Sequence, residues 1–143
     1  SFNLFPHIGS FSDDDYTTEE WKMVHETHKI FHDKKIKISC TTVRVSVRNG
    51  HSEAIYIETS KPCTVGDIKK LLLKAPGIIV MDDPKNNKYP MPIHCDGKDE
   101  VFVGRVRRDP FVKNAFWLWV VADNLRKGAA SNAVQIAEEL IKQ

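Results

Sequence analysis

The dipeptide Asn49-Gly50 is the feature that most restricts how this chain can fold, because Asn-Gly is strongly preferred in the two-residue turn of a β-hairpin. Residues 36–47 before it carry β-branched side chains at alternating positions, and residues 51–59 after it resume the same pattern. The sequence therefore predicts that 36–47 and 51–59 pair as the two antiparallel strands of a hairpin.

Helix boundaries follow from capping residues and apolar periodicity. Thr17 and Glu20 have the spacing of a capping box, and the apolar residues from Met23 to Phe31 recur at helical spacing, so a helix is predicted to begin there. A second helix is predicted from Thr64 to the breaker Pro76-Gly77. A last helix is predicted from Asp123-Asn124 onward, with its small and apolar residues buried: Ala129, Ala130, Ala133, Val134, Ala137 and Leu140.

The remaining segments complete the predicted fold. Extended stretches are predicted at 2–8, 77–81, 100–107 and 115–122, and the proline-rich segment 82–92 is predicted to be a loop. The resulting order, β α β β α β β β α, indicates one α+β domain over residues 1–143. Its sheet is expected to be mostly antiparallel and to carry helices on one face.

Composition limits the partners and the compartment. A net charge of +2 spread along 143 residues gives no basic surface typical of nucleic-acid or anionic-membrane binding. No apolar run approaches the roughly 20 residues that cross a bilayer. The chain is therefore expected to be soluble. Cys40, Cys63 and Cys95 form no CxxC motif, so the reducing cytoplasm is the expected compartment. The start at Ser1 within a predicted strand leads us to expect a lost N-terminal portion.

Arg44 and His51 are suited to chemistry on a small acidic substrate. Arg44 falls on the same predicted strand face as Ile36 and Ile38, where an arginine needs an anionic partner. A guanidinium grips a carboxylate through two parallel hydrogen bonds, and a histidine exchanges protons near pH 7. An ideal hairpin would place Arg44 roughly 13 Å along the strand from His51. A salt bridge between Arg44 and Glu53 beside a solvated histidine is the alternative interpretation.

Glu19 and Lys22 lie at i and i+3 at the start of the first predicted helix. Together they offer a carboxylate and an ammonium, which suits the amine of an amino acid and a phosphate. An ordinary ion pair on a helix surface, worth a few tenths of a kcal/mol, is the alternative.

Two other features are assigned structural roles. Cys40 lies in the middle of a predicted strand without a basic neighbour, which is typical of a buried structural thiol rather than a nucleophile. Arg105 and Arg107 are two residues apart in a predicted strand, so they are predicted to point the same way. Their face is predicted to be solvated or an interface rather than a nucleic-acid contact, because no base-stacking aromatics alternate with them. The chain holds no glycine-rich phosphate loop, so a dinucleotide has no evident primary site here.

Six stretches, in their order and spacing, resemble the C-terminal half of aspartate-semialdehyde dehydrogenases. They include Gly-His-Ser-Glu-Ala at 50–54 and Asp-Asn-Leu-Arg-Lys-Gly at 123–128. All six lie at 2–9, 19–27, 42–45, 50–54, 101–110 and 119–130. The resemblance implies a substrate-binding and dimerisation domain with a fold similar to the catalytic domain of glyceraldehyde-3-phosphate dehydrogenase.

The resemblance also implies a reaction and residue roles. The family reduces β-aspartyl phosphate to aspartate semialdehyde with NADPH and releases phosphate, on the branch towards lysine, threonine and methionine. Arg44 would bind the substrate α-carboxylate, Glu19 its amino group and Lys22 the phosphate. His51 would be the acid/base that activates the nucleophilic thiol, and Asn124 would approach the nicotinamide carboxamide. A homodimer, possibly a dimer of dimers, is implied, with no nucleic acid and no membrane as partner.

Two departures from the family pattern are expected to matter. The catalytic cysteine and the NADP-binding Rossmann domain would precede Ser1, so this chain alone is expected to be inactive. Arg-Val-Ser-Val replaces the usual Arg-Val-Pro-Val at 44–47, and neither Cys40 nor Thr42 inherits the role of the nucleophile. A catalytically inactive dimerisation or protein-interaction module of the same fold is the alternative function.

Overall fold

A computed structural model describes residues 3–142. Phe2, the first residue of the predicted opening strand, lies outside the described residues. Contacts divide the chain into two units, residues 1–46 and 47–143. The expectation of one domain over 1–143 stays a prediction.

The first unit is built on helix α1 (Thr18–Phe31), and the predicted capping box is confirmed. Thr17 Oγ1 accepts the Glu20 N–H at 3.3 Å, and a Glu20 carboxylate oxygen accepts the Thr17 N–H at 2.8 Å. These bonds satisfy N–H groups that have no partner within the first turn of a helix. The helix ends at His32, whose φ is 51°.

The predicted hairpin around Asn49-Gly50 is wrong. Residues 36–47 form no strand, and strand β1 (His51–Glu58) pairs antiparallel with strand β4 (Ala115–Ala122) along its whole length. Gly50 does turn the chain, with a φ of 97°. The local turn signal is therefore real, but the partner of β1 is chosen by eight long-range pairs that a dipeptide cannot encode.

Only an isolated bridge joins the described part of the predicted opening strand to the 36–47 segment. Phe5 N–H donates to the Arg44 carbonyl at 3.1 Å, and Arg44 N–H donates to the Phe5 carbonyl at 2.8 Å. Val43 and Val45 are 38% and 46% exposed, which explains why their alternation gives no strand within this unit. The predicted opening strand is thus limited to one residue pair in the described residues.

The second unit contains a sheet whose strands follow the order β1-β4-β3-β2. Its other elements are α2 (Val65–Lys74), β2 (Ile78–Val80), a 3₁₀ turn (Pro84–Asn86), α3 (Pro92–Cys95) and β3 (Val101–Arg108). The β1–β4 and β4–β3 pairs are antiparallel, and the β3–β2 pair is parallel. The mostly antiparallel α+β fold is confirmed, as are the strands predicted at 77–81, 100–107 and 115–122.

Apolar side chains cover the two faces of this sheet unequally. On one face Ile68 of α2 packs against Val103, Val106 and Phe116, the last of which has no exposed surface. On the other face Phe102 and Val121 are covered by a smaller cluster that contains Cys95 of α3. Burial of these side chains is the main stabilisation of the unit.

A β-bulge interrupts β3 between Gly104 and Arg107. Arg105 has a φ of 54°, and the N–H groups of Arg105 and Val106 both donate to the Asp82 carboxylate, at 2.8 Å and 3.2 Å. Lys69 Nζ lies 2.7 Å from the same carboxylate. Despite the bulge, the side chains of Arg105 and Arg107 are both exposed and line one cavity of about 330 Å³, in agreement with the prediction that they point the same way.

The last helix begins later and is more exposed than predicted. A π-helical turn (Arg126–Ala130) precedes α4 (Ser131–Ile141), and Arg126 binds Asp99 through two hydrogen bonds of 2.8 Å. The predicted burial of its apolar face is wrong for the described residues, since Val134 is 58% and Leu140 is 67% exposed. Periodicity shows which face of a helix is apolar, but not whether a partner covers it. None of the described helices combines the length and apolarity needed to cross a membrane.

Candidate active site

Glu19 and Lys22 lie together on the first turns of α1, as predicted. Lys22 Nζ is 3.5 Å from Glu19 Oε1, and the side chains are 54% and 37% exposed. An exposed pair of this kind contributes a few tenths of a kcal/mol. Both charges can therefore turn towards a ligand at little cost.

The Glu20 carboxylate fixes the segment that leads to Arg44. Glu20 is 6% exposed, and its second carboxylate oxygen accepts the Thr42 N–H at 2.8 Å. Hydrogen bonds from the backbone of Thr17 and then of Thr42 hold the pKa of Glu20 below its usual value. The start of α1 and the residue two positions before Arg44 are therefore joined by one ionised group. The capping box predicted Glu20, but no local signal predicted its bond to Thr42.

Arg44 is an exposed residue of the first unit, held through its backbone by Phe5. The prediction that it lies on the packed face of a strand is wrong, because 36–47 is not a strand. The Arg44 guanidinium makes no hydrogen bond or ion pair with any of the described residues. A planar group with five N–H donors is thus available to an anion.

His51 and Asn124 belong to the second unit, and the structure brings their segments together. His51 is the exposed first residue of β1 and pairs with Ala122, the last residue of β4. Asn124 Oδ1 accepts the Gly50 N–H at 3.0 Å. A side chain at position 50 would bring its Cβ to 3.1 Å from the Ala122 carbonyl oxygen, so glycine suits this approach.

Asp123 is a site residue that sequence reasoning missed. It is 2% exposed, and its carboxylate accepts N–H groups from Gly97 and Leu125, each at 2.9 Å, and the Asn49 side-chain amide at 3.0 Å. The Gly97 bond contributes most to a pKa held below the usual aspartate value. The bond to Leu125, two residues ahead, is typical of an aspartate in a turn, but the bond to Asn49 spans 74 residues of sequence.

The cysteines of the described residues do not form a reactive centre. Cys40, Cys63 and Cys95 are all free, and burial raises the pKa of the Cys40 and Cys95 thiols. Cys40 Sγ donates to the Glu20 carbonyl at 3.7 Å, which agrees with a structural thiol. No group of three or more metal-ligating side chains occurs in the part of the chain that the structure describes.

Two arginines of β3, Arg107 and Arg108, make side-chain contacts within the chain. Arg107 donates to the Arg105 carbonyl at 2.9 Å and lies over the Trp117 ring, whose centroid is 5.7 Å from the guanidinium carbon. Arg108 lies over Phe116 and donates to the Cys63 carbonyl at 3.2 Å. These contacts use the charges of Arg107 and Arg108 to pack against aromatic side chains.

A protein family and several curated relatives match this chain. The family described as "Semialdehyde dehydrogenase, dimerisation domain" matches residues 1–127. Aspartate-semialdehyde dehydrogenase of Aquifex aeolicus is 55% identical over 143 residues, which are 100% of this chain and 42% of that relative. The Bacillus subtilis enzyme of the same name is 52% identical over 99% of this chain and 41% of its own length.

Solved structures agree with these relatives. Aspartate semialdehyde dehydrogenase II of Vibrio cholerae, complexed with ASA, superposes with a TM-score of 0.94 at 46% identity, over 100% of this chain and 42% of that one. The Candida albicans enzyme, solved with NADP, superposes with a TM-score of 0.74 at 27% identity, over 96% of this chain and 44% of that one.

The fold is that of an α+β domain, and the relatives and solved structures that match it are dehydrogenases. More narrowly, the chain belongs to the semialdehyde dehydrogenase family and matches its dimerisation domain. It spans about 42% of the length of the Aquifex relative.

Proposed function

We propose that this chain supplies the substrate-binding and dimerisation part of an NADP-dependent aspartate-semialdehyde dehydrogenase. The reaction reduces β-aspartyl phosphate to aspartate semialdehyde and releases phosphate, in lysine, threonine and methionine biosynthesis. The observation that carries the proposal is the group Glu19, Lys22 and Arg44, in which a carboxylate, an ammonium and a guanidinium without a partner among residues 3–142 belong to one unit. The superposition on a structure complexed with ASA supports the same substrate.

The charges of Glu19, Lys22 and Arg44 are each opposite to that of one group of the substrate. Arg44 binds the α-carboxylate, because its planar donors fit a carboxylate through two parallel bonds. Glu19 accepts from the α-ammonium group, and Lys22 binds the phosphate. The weak Glu19–Lys22 pair at 3.5 Å separates to make these contacts, so it does not oppose binding.

His51 acts as the acid/base. An exposed imidazole at the start of a strand can accept a proton from a thiol near neutral pH, and general acid–base catalysis of this kind contributes about 10²- to 10⁴-fold in rate. The thiol belongs to the remainder of the enzyme, since the pKa of the Cys40 and Cys95 thiols is raised and Cys63 packs against the apolar cluster around Ile68.

Asn124 fits a contact to NADP. Its Oδ1 is occupied by the Gly50 N–H at 3.0 Å, which leaves the amide NH₂ to face an acceptor such as a carboxamide oxygen. The nicotinamide supplies or accepts the hydride when bound. The remainder of the enzyme holds most of the cofactor, and the assembled protein is a cytoplasmic homodimer, or a dimer of dimers, that binds neither nucleic acid nor membrane.

The test joins the N-terminal portion of the Aquifex aeolicus relative to this chain and follows NADPH formation from aspartate semialdehyde, phosphate and NADP. We expect the chimera to turn over and the isolated chain to be inactive. His51→Asn should lower kcat by about 10²- to 10⁴-fold. Arg44→Ala should raise the KM for aspartate semialdehyde by roughly 10- to 100-fold, because one charge-assisted contact is worth about 1.5–3 kcal/mol.

Matched controls are His32→Asn and Arg48→Ala. His32 has a left-handed backbone that asparagine tolerates, and Arg48 is an exposed neighbour of the same charge. Both should leave kcat and KM within twofold of the chimera. An active chimera that is indifferent to His51→Asn and Arg44→Ala would refute these roles. A folded chimera that does not turn over would favour the inactive interaction module.

A further inference from the structure

Asn49 and Asp123 form a hydrogen-bonded pair beside His51, and the roles proposed above use neither of them. We propose that Asn49 and Asp123 are positioning residues that fix the backbone of His51 in its catalytic place. This inference rests on the proposed function, because it assumes that His51 is the acid/base.

Asp123 provides a fixed, charged anchor. It is 2% exposed, and a buried carboxylate is stable only when its oxygens are hydrogen-bonded. The backbone N–H groups of Gly97 and Leu125 hold it at 2.9 Å each. Since its pKa lies below the usual value, the carboxylate remains an acceptor throughout the neutral range.

Asn49 connects this anchor to the turn before β1. Its side-chain amide donates to Asp123 Oδ2 at 3.0 Å and to Asp96 Oδ1 at 2.8 Å. An amide NH₂ has two protons to donate, whereas a hydroxyl has one and a carboxylate has none. Asparagine is therefore suited to bridge two carboxylates that would otherwise repel each other.

The consequence for His51 comes from the order of these bonds along the chain. Asn49 is bound through its side chain, Gly50 donates to Asn124, and His51 pairs with Ala122. Three successive residues are thus tied to the end of β4 and the turn after it. The His51 ring itself is exposed and makes no hydrogen bond with the described residues, so its position depends on this backbone. A misplacement of about 1 Å at a reacting group can cost roughly 100-fold in rate.

The test uses Asn49→Ala and Asn49→Asp in the chimera, with Asn86→Ala as the control. Asn86 makes the same kind of bond, donating to Asp83 at 2.7 Å, in the 3₁₀ turn. We expect Asn49→Ala to lower kcat by about 10- to 100-fold. The KM for aspartate semialdehyde should stay within twofold, because Arg44, Glu19 and Lys22 are unchanged. Asn86→Ala should change neither parameter by more than twofold.

The pH dependence of Asn49→Asp separates positioning from loss of stability. Two carboxylates, Asp96 and Asp123, contact position 49 directly. Arg126 and the Cys95 thiol interact electrostatically with Asp123, and His51 is two residues further along the chain. A third carboxyl group here is repelled when ionised, but when protonated it donates one O–H. The ratio of Asn49→Asp kcat to parent kcat should therefore rise severalfold as the pH falls from about 8 to about 5.5. The same ratio for Asn49→Ala should be constant.

Three results would overturn the inference, and they differ in what else they remove. If His51→Asn is inactive while Asn49→Ala and Asn49→Asp keep the parent kcat, positioning fails and the proposed function stands. If His51→Asn itself keeps the parent kcat, His51 is not the acid/base, and both the positioning inference and the proposed role of His51 fail. A loss of kcat in Asn49→Asp that is independent of pH also counts against positioning.

Discussion

Replacing Gly104 by alanine tests the packing on which the second unit depends. A Cβ at this position would overlap the Met81 carbonyl oxygen and lie 2.6 Å from Pro90 Cδ. Both neighbours are fixed, because Met81 N–H donates to the Val103 carbonyl at 2.8 Å and the Pro90 carbonyl accepts from Trp119 at 2.9 Å. The segments on either side must move apart by roughly 1 Å to restore van der Waals distances.

The free energy of unfolding follows from these contacts. Overpacking costs about 1–3 kcal/mol, and weakening the two hydrogen bonds adds about 1 kcal/mol, so we expect a destabilisation of about 3 kcal/mol. With a urea dependence of about 1–3 kcal/mol per M, the unfolding midpoint of the chain should fall by about 1–3 M.

Gly66→Ala is the matched control for this substitution. Gly66 lies in α2, where the nearest atom to an added Cβ is Thr64 Oγ1 at an ordinary 3.6 Å. Alanine should stabilise this helix by about 0.5–1 kcal/mol, so the two variants should shift the midpoint in opposite directions. A Gly104→Ala midpoint within error of the parent would refute the packing argument.

Two further predictions concern the charge pair and the apolar face at the C-terminal end. Hydrogen bonds from Arg126 lower the pKa of Asp99 to about 2. Because this folded-state pKa is depressed, the pair stabilises fully above the unfolded pKa of about 3.9 and loses its contribution as the pH falls towards 2. The difference in thermal midpoint between parent and Asp99→Asn should therefore be constant from pH 5 to 8 and vanish near pH 2; a difference that persists there contradicts the assignment. Phe116→Ala should destabilise the chain by about 3–5 kcal/mol and Leu140→Ser by less than about 0.5 kcal/mol in urea unfolding, since Phe116 has no exposed surface and Leu140 is 67% exposed. Equal effects would mean that α4 packs in solution as the sequence pattern predicts.

Elements specified by neighbouring residues were predictable from the sequence. The capping box at Thr17 places the start of α1 correctly, because every bond of a capping box lies within four residues. The helix predicted from Thr64 is confirmed as α2, for which Thr64 is the N-cap. The continuous apolar run at 115–122 also predicts β4 correctly, since it is apolar enough to be buried in any pairing.

Elements that depend on distant partners were not predictable in the same way. Asn49-Gly50 predicts a turn but not that β1 pairs with β4, whose partner residues lie 57 to 71 positions further along the chain, from Glu58↔Ala115 to His51↔Ala122. The candidate site shows the same limit. The pairing of Glu19 with Lys22 follows from helical spacing, whereas Asp123 is linked to the segment before His51 only through bonds to Gly97 and Asn49 that the fold creates. Local sequence patterns therefore identify residues with suitable chemistry, whereas long-range contacts determine which of these residues lie close together.

We propose that Arg44, Glu19 and Lys22 bind the substrate of an aspartate-semialdehyde dehydrogenase and that His51 is its acid/base. The most direct test of this proposal is the phosphate dependence of NADPH formation by the chimera, measured for the parent and for Lys22→Met. We predict a rate that requires phosphate, and a KM for phosphate that rises at least tenfold in Lys22→Met while the KM for aspartate semialdehyde changes little. A parent rate that is independent of phosphate, or a phosphate KM unchanged by Lys22→Met, would contradict the account.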